Sequence, residues 1–285
     1  MLDLSLDRPA APAKAAATLV LVREGAAGGL EVFCVERNKK SRFVGGAIVF
    51  PGGKLDPSDA EPAWRPLVTP PRPAREGFVE SETELRALAI AAVRETLEEA
   101  AILHTSGGLV DDAAVRSLRD RHAIEPTALT GFLSERRLRL DLAALHPLAR
   151  WVTPEAESRR YDTRFFLAVA PPGQTGAHDS HETMASFWAP PAEVLRRFAA
   201  GDVQLVPPTH RTLELLAGCA DAGAAVALAG RAVLEPIMPR LVPQGETLAL
   251  VLPGDPEHPR RDALLAGTSR YVLRGERWQA EDAPR

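Results

Sequence analysis

Three glutamates stand close behind an arginine in the stretch RETLEEA, residues 94–100. Successive residues of an α-helix are about 100° apart around the axis, so Glu95, Glu98 and Glu99 would occupy an arc of roughly 100° and could reach one point. Like charges three and four residues apart on a helix repel each other. The stretch is therefore either a solvated helix face, where glutamate is common, or a set of carboxylates that holds a cation.

The helix that must carry these carboxylates is predicted to begin after Ser81. Serine is a favoured N-cap, and Glu84 follows three residues later. Apolar residues then recur at helical spacing and define one stripe: Leu85, Leu88, Ala89, Ala92, Val93 and Leu97. We expect this stripe to face the core and the three glutamates to face a cleft.

A glycine-rich stretch upstream, FPGGKLDPSD at residues 50–59, favours the cation over the solvated face. We predict a tight turn at Pro51, Gly52 and Gly53, where the backbone can approach a phosphate or a metal that a side chain would block. Carboxylate oxygens suit Mg2+ or Mn2+, with phosphate oxygens and water completing the shell. Together the two stretches predict a cleft that binds metal and phosphate.

Positive charge is concentrated in RNKKSR, residues 37–42, although the net charge of the chain is -4. Arg37 and Arg42 could each grip a phosphate through two hydrogen bonds. The alternative is a basic surface turn between two strands.

The composition, with 45% hydrophobic and 25% charged residues, is that of a folded globular protein. The net negative charge argues against a nucleic-acid or anionic-membrane partner. Cys34 and Cys219 form neither a disulfide framework nor a zinc set, which fits a reducing compartment. Neither the N-terminal residues nor the apolar stretch 222–234 reads as a signal peptide or a membrane span. We expect a cytoplasmic protein.

The order of the predicted elements indicates an α/β fold, a mixed sheet sandwiched between helices. Strands are predicted at 16–24, 30–38, 148–154 and 163–171, and helices within 111–145 and at 190–201 and 209–218. We divide the chain into the segments 1–13, a lead; 14–220, one domain; 60–80, a proline-rich surface insertion; and 221–285, an extension with a helix and a strand pair.

The combination of these stretches resembles the Nudix hydrolases, whose box reads G, five residues, E, seven residues, R-E-U-x-E-E-x-G-U, with U aliphatic. Gly53 matches the glycine, and RETLEEAAI at 94–102 matches the second half. Residues 60–93 replace the usual seven, Thr96 takes an aliphatic place and Ala101 takes the place of the second glycine. The resemblance implies a Nudix-type α/β/α sandwich.

The stretch ahead of the box is similar to that of the coenzyme A diphosphatase branch of this family, which reads R, four residues, R, three, G, three, F-P-G-G. The matching residues are Arg37, Arg42, Gly46, Phe50, Gly52 and Gly53. Within that branch, an interrupted box resembles the acyl-coenzyme A diphosphatases. The resemblance implies hydrolysis of coenzyme A or an acyl-coenzyme A to 3',5'-ADP and a phosphopantetheine.

The resemblance also implies roles for single residues. Glu95, Glu98 and Glu99, with the Gly53 carbonyl, would hold Mg2+ or Mn2+, and Arg94 would hold a carboxylate in place. Glu182 resembles the additional acidic residue that many Nudix enzymes place near the metals. The acidic partner of Arg94 is left open, and its candidates are Asp59, Glu82 and Glu84.

Other readings stay open at this point. The substrate could be ADP-ribose, NADH or a nucleotide sugar, or the chain could be a nucleotide-binding regulatory domain without catalysis. Trp151, Phe165 and Phe166 could stack on adenine, although aromatic residues in strands are more often core. The sequence does not tell whether two copies form a homodimer.

Overall fold

The computed structural model describes residues 9–26, 28–37, 46–177, 183–275 and 277–283. Its strands are β1 (Lys14–Glu24), β2 (Leu30–Arg37), β3 (Ala47–Val49), β4 (Gly52–Lys54), β5 (Thr105–Ser106), β6 (Arg139–Leu140), β7 (His146–Val152), β8 (Tyr161–Val169), β9 (Thr183–Ala189), β10 (Gln204–Leu205), β11 (Pro236–Ile237), β12 (Arg240–Gln244), β13 (Thr247–Val251), β14 (Arg270–Arg274) and β15 (Arg277–Glu281). Its α-helices are α1 (Glu82–Ala100), α2 (Asp112–His122), α3 (Ala128–Arg136), α4 (Pro191–Ala200), α5 (Pro207–Ala217) and α6 (Ala222–Ala229).

The predicted helical pair within 111–145 is α2 and α3, and the helices predicted at 190–201 and 209–218 are α4 and α5. Among the described helices, none combines the length and the apolar character that crossing a bilayer requires.

Nine of the described strands form one mixed sheet around β1. One edge of β1 pairs in parallel with β8. The other edge is divided, because β2 pairs with Val22–Glu24 and β4 pairs with Ala16–Thr18, both antiparallel. The order along the sheet is β10-β3-β2-β1-β8-β7-β11, with β9 also against β2. This division places Gly52 and Gly53, on β4, beside the N-terminal half of β1.

Both faces of the sheet are covered, as the alternation of side chains along β1 requires. Leu19 and Leu21 of β1 belong to a buried cluster with Leu97 of α1. Val20 belongs to a second buried cluster with Leu213 of α5. The predicted mixed α/β sandwich is confirmed.

Helix α1 forms as the sequence predicts. The Ser81 hydroxyl accepts a hydrogen bond of 3.2 Å from the Glu84 backbone N–H, which caps the helix. The whole predicted apolar stripe is buried, comprising Leu85, Leu88, Ala89, Ala92, Val93 and Leu97. The helix ends at Ala101 in the left-handed conformation, with φ at 49°. Ala101, at the position of the second glycine of the Nudix box, thus adopts a conformation that glycine takes without strain.

The prediction of a surface segment at residues 60–80 is wrong for its apolar side chains. Trp64, Val68 and Phe78 are buried in the same cluster as α1. The Trp64 indole N–H donates to the Ser58 carbonyl at 3.0 Å. Proline excludes an α-helical interior but not burial, because the segment forms short 3-10 helices that begin at prolines.

The segment after residue 220 packs on the rest of the chain. The predicted strand pair is β13 and β14, which lie together in a four-stranded antiparallel sheet, β12-β13-β14-β15. Strand β11 extends the main sheet by pairing Ile237 with Trp151 of β7. Leu250 and Tyr271 share the buried cluster of α5. The core therefore continues across the position at which the sequence analysis divided the chain.

Replacing Trp64 with alanine tests whether the proline-rich segment belongs to the core. We expect Trp64→Ala to lower the free energy of unfolding by about 3 kcal/mol, because the substitution leaves a cavity beside α1. Ile124→Ala is the control, since Ile124 is 87% exposed and surface changes stay within about 0.5 kcal/mol. Urea unfolding measures both. If both variants lost equally little free energy of unfolding, the proline-rich segment would contribute no core packing.

Candidate active site

The acidic end of α1 packs against strand β4. The Gly52 backbone N–H donates to Glu99 Oε2 at 3.1 Å. The Glu95 carboxyl group lies so close to Gly53 that a Cβ atom on Gly53 would overlap it. A Cβ on Gly52 would meet the backbone of β1 in the same way. Position 52 therefore requires glycine for lack of space, whereas a side chain at Gly53 would displace the Glu95 carboxyl group from its place.

The predicted tight turn has a different form. The chain bends at Pro51, and the two glycines that follow are strand residues of β4. The close approach that they permit is to β1 and α1. This packing brings the glycine stretch and the glutamates together, as the sequence analysis expected of a single cleft.

Arg94 joins these parts through a bidentate ion pair with Asp59. Its Nε donates to Asp59 Oδ1 at 2.9 Å and its Nη2 donates to Oδ2 at 3.0 Å. Asp59 is only 1% exposed. Of the three candidate partners left open by the sequence, Asp59 is the one that contacts Arg94, whereas Glu84 pairs with Arg164 at 3.1 Å.

Arg94 also holds two of the glutamates. Its Nη1 donates to Glu95 Oε1 at 2.9 Å and to Glu98 Oε1 at 3.2 Å. Burial lowers the pKa of Arg94, but the bonds to Asp59 and the charges of Glu95 and Glu98 outweigh it and raise the pKa above its usual value. Arg94 therefore stays charged and positions carboxylates, which is the role that the resemblance implies for it.

Burial makes the Glu95 carboxyl group a weaker acid than usual. It raises the pKa of the Glu95 carboxyl to about 7, against the opposing effect of Arg94 and with a smaller contribution from Glu98. A desolvated carboxylate at this position gains when a cation is bound beside it, because the cation replaces the hydration that the carboxylate has lost.

Glu98 faces a histidine that the sequence analysis did not single out. His122 Nε2, at the end of α2, lies 3.2 Å from Glu98 Oε1. Burial acts to raise the pKa of Glu98, but the hydrogen bonds from His122 and Arg94 lower it overall. The packing of α2 on α1 brings residues 98 and 122 together, and no spacing in the sequence relates them.

The prediction that all three carboxylates reach one point is not met. Within the described residues, no group of three acidic, histidine or cysteine side chains is arranged to hold a metal ion. Glu98 is held by His122 and Arg94, whereas Glu95 and Glu99 lie against β4. All three nevertheless line one open cleft with Gly52 and Gly53.

The donor chemistry of this cleft fits a hard divalent cation. It offers carboxylate oxygens, and Glu95 is partly buried and only partly compensated by Arg94. Glu95 and Glu99 are the carboxylates that lie against the glycine strand.

Of the predicted substrate-binding residues, Arg37, Gly52 and Gly53 line the same cleft. Arg37 lines it, and its buried Nε has no hydrogen-bond partner among the described residues. The Gly46 N–H donates to the Arg37 carbonyl at 3.1 Å, and the φ of Gly46 is 77°. The predicted sites Arg42 and Glu182 lie outside the described residues.

An apolar cavity of about 200 Å³ adjoins the cleft, and we call it the Trp151 cavity. Phe50, which is buried, forms part of its wall together with Trp151 and Phe165. Phe166 points to the opposite face of the sheet and belongs to the α1 core. Of the three aromatic residues considered for adenine stacking, two therefore face a cavity and one is core.

Comparison with known proteins places the fold in a family. The crystal structure of a Nudix hydrolase from Alicyclobacillus acidocaldarius is 35% identical, with a TM-score of 0.66, and the match covers 76% of this chain and 96% of that one. This chain belongs to the Nudix hydrolase family. A family model described as the NUDT19 Nudix domain matches residues 79–216. That range contains Arg94 and the three glutamates but begins after Gly53.

Two of the curated relatives are proteins of the same name. Acyl-coenzyme A diphosphatase NUDT19 of Gallus gallus is 27% identical over 223 residues, which cover 62% of this chain and 58% of that protein. The Homo sapiens protein of the same name is 28% identical over 271 residues, covering 80% of this chain and 72% of its own length. This chain thus matches little more than half the length of the chicken relative.

The raised pKa of Glu95 predicts how stability depends on pH. A carboxyl whose folded-state pKa is raised from 4.5 to about 7 loses its stabilising contribution as pH rises through that range. Metal-free Glu95→Gln should therefore be more stable than the wild type at pH 8, by up to about 3 kcal/mol, and the difference should vanish below pH 4.5.

Thermal unfolding at several pH values, with and without Mg2+, measures this effect. We expect Mg2+ to stabilise the wild type and to have a smaller effect on Glu95→Gln. Glu82→Gln, an exposed change at the start of α1, is the control. A wild type more stable than Glu95→Gln at pH 8 without metal would contradict the assignment.

Proposed function

We propose that this chain is a divalent-metal-dependent hydrolase that splits coenzyme A or an acyl-coenzyme A into 3',5'-ADP and the corresponding phosphopantetheine. The observation that carries the proposal is the packing of Glu95 and Glu99 against Gly52 and Gly53, in one cleft that Arg37 also lines. The two matched sequence motifs, the box and the stretch before it, thereby meet at a single site.

The choice of coenzyme A rests on two further supports. Arg37 and Arg42 stand at the spacing of the coenzyme A diphosphatase motif, and the curated relatives quoted above are named acyl-coenzyme A diphosphatases. Arg37 lines the cleft, and its guanidinium group is suited to a phosphate oxygen beside the carboxylates.

The proposed metal ligands are Glu95 and Glu99, with the Gly53 carbonyl, and the proposed ion is Mg2+ or Mn2+. Glu98 lines the same cleft but is held by His122 and Arg94. When bound, the ion would neutralise phosphate oxygens and supply an activated water for in-line attack on the diphosphate.

The chain's own side chains orient the reaction. Arg94, fixed by Asp59, holds the Glu95 and Glu98 carboxylates in place. Arg37, with Arg42, would bind phosphate oxygens and fix the diphosphate against β4. Glu182 is proposed as an additional acidic residue near the metals.

The proposed partner is a small-molecule diphosphate, and the proposed location is the cytoplasm. The support for the partner is the cleft lined by Arg37, Glu95 and Glu99. The support for the location is compositional, since the chain contains only two cysteines. Both cysteines are free, and burial raises the pKa of the Cys34 thiol to about 12.

A turnover assay on a panel of diphosphates tests the proposal. The wild type should convert coenzyme A to products with the masses of 3',5'-ADP and 4'-phosphopantetheine, only when Mg2+ or Mn2+ is present. Glu99→Gln should lower kcat about a thousandfold, because several kcal/mol of transition-state stabilisation depend on the metal site. The exposed Glu82→Gln serves as its control.

Arg37→Ala and Arg42→Ala should raise KM for coenzyme A more than KM for ADP-ribose. Circular dichroism verifies that each variant is folded. Equal losses on both substrates would remove the coenzyme A assignment, and full activity of Glu99→Gln would remove the metal site.

A further inference from the structure

The Trp151 cavity is built by parts of the chain that are distant in sequence. Trp151 of β7 and Phe165 of β8 form one wall, and Pro207 and Pro208 at the start of α5 form another. The segment after residue 220 also contributes, through Pro239 and Leu250. The lining is mainly aliphatic and aromatic, which is the character of a pocket for an apolar group.

The cavity is continuous with the acidic cleft. Both are lined by the same five residues, Thr18, Arg37, Gly52, Tyr161 and Thr163. A ligand whose diphosphate lies beside Glu95 and Arg37 can therefore extend from the cleft into the cavity.

One polar atom in the cavity wall has no partner. Trp151 is 3% exposed, and its indole Nε1 makes no hydrogen bond within the described residues. The indole N–H is a donor only, and buried tryptophan normally finds an acceptor. An unpaired buried donor costs about 1–3 kcal/mol. Because Nε1 itself is closed off from solvent, an acceptor supplied by a ligand reaches it only when the indole ring shifts toward the cavity.

We propose that the Trp151 cavity receives the pantetheine arm of the substrate and the acyl chain beyond it, and that the Trp151 ring shifts on binding so that its Nε1 donates to a carbonyl oxygen of that arm. The inference rests on the proposed function and extends it to acyl-chain recognition. It also assigns a role to residues 221–285, since Pro239 and Leu250 would close the cavity around the chain.

The charges around the Trp151 cavity favour the pantetheine half of the substrate over the 3',5'-ADP half. The 3',5'-ADP half brings a 3'-phosphate close to its adenine. Among the described residues that line the cavity, Arg37 is the single cation, and the Glu157 carboxyl is buried in the same wall. A second phosphate would meet a carboxylate there, whereas the pantetheine arm carries amide carbonyls and apolar groups without charge.

Binding of the two product halves to metal-free protein tests the inference directly. We expect Trp151→Phe to weaken binding of 4'-phosphopantetheine about tenfold in calorimetry, the effect of losing one buried hydrogen bond. Binding of 3',5'-ADP should change less than twofold. Trp278→Phe is the matched control, because Trp278 of β15 lies outside the lining and should leave both affinities unchanged.

A series of acyl-coenzyme A substrates tests the role of the C-terminal segment. For the wild type, kcat/KM should rise by up to about fourfold per methylene as the chain lengthens, until the cavity is full. Leu250→Phe should stop this rise at a shorter chain, and Leu250→Ala should extend it. Leu248→Phe, two residues away on β13 and outside the lining, is the control.

The outcomes separate the possible failures. If Trp151→Phe weakens 3',5'-ADP instead, the cavity is an adenine site, and if it weakens neither half, the cavity is not a ligand site. If Leu250→Phe lowered kcat/KM equally for free coenzyme A and for acyl-coenzyme A, the inference would also be overturned. If the proposed function were wrong, the wild type would not turn over coenzyme A at all. The binding measurement does not depend on turnover, so the two failures can be distinguished.

Discussion

The site depends on how tightly helix α1 and strand β4 approach each other. Two glycines leave room for the Glu95 carboxyl group on one side and for the backbone of β1 on the other. The approach is secured by Arg94, which donates to Asp59 just beyond β4 and to the Lys54 carbonyl within it at 3.1 Å. The two halves of the Nudix box are separated in sequence by residues 60–93, and the partly buried Arg94 thus brings them together in space.

The elements with strong local patterns could be predicted from the sequence. Helix α1 follows from its N-cap and its apolar stripe, and β1 and β2 follow from runs of branched residues separated by glycines. The position of Gly53 beside Glu95 could also be predicted, because the family motif relates the two residues. Each of these predictions follows either from a local pattern along the chain or from membership of a known motif.

Other features depend on packing between distant segments, which spacing does not encode. Proline spacing excluded an α-helix in residues 60–80 but gave no sign that Trp64 would be buried beside α1. Asp59 could not be told from Glu84 as the partner of Arg94, because the insertion removed the fixed spacing. His122 beside Glu98 and Leu250 in the Trp151 cavity arise from helix packing and from the C-terminal segment, respectively.

The central claim is that Glu95 and Glu99, packed against the glycine strand, hold a divalent ion. Anomalous diffraction from crystals soaked in manganese measures this most directly. The account predicts a manganese peak between those two carboxylates and β4, at about 2.0–2.4 Å from carboxylate oxygens, with the Gly53 carbonyl on the same side. A crystal saturated with manganese that shows no peak in this cleft, with both side chains placed as described, would contradict it.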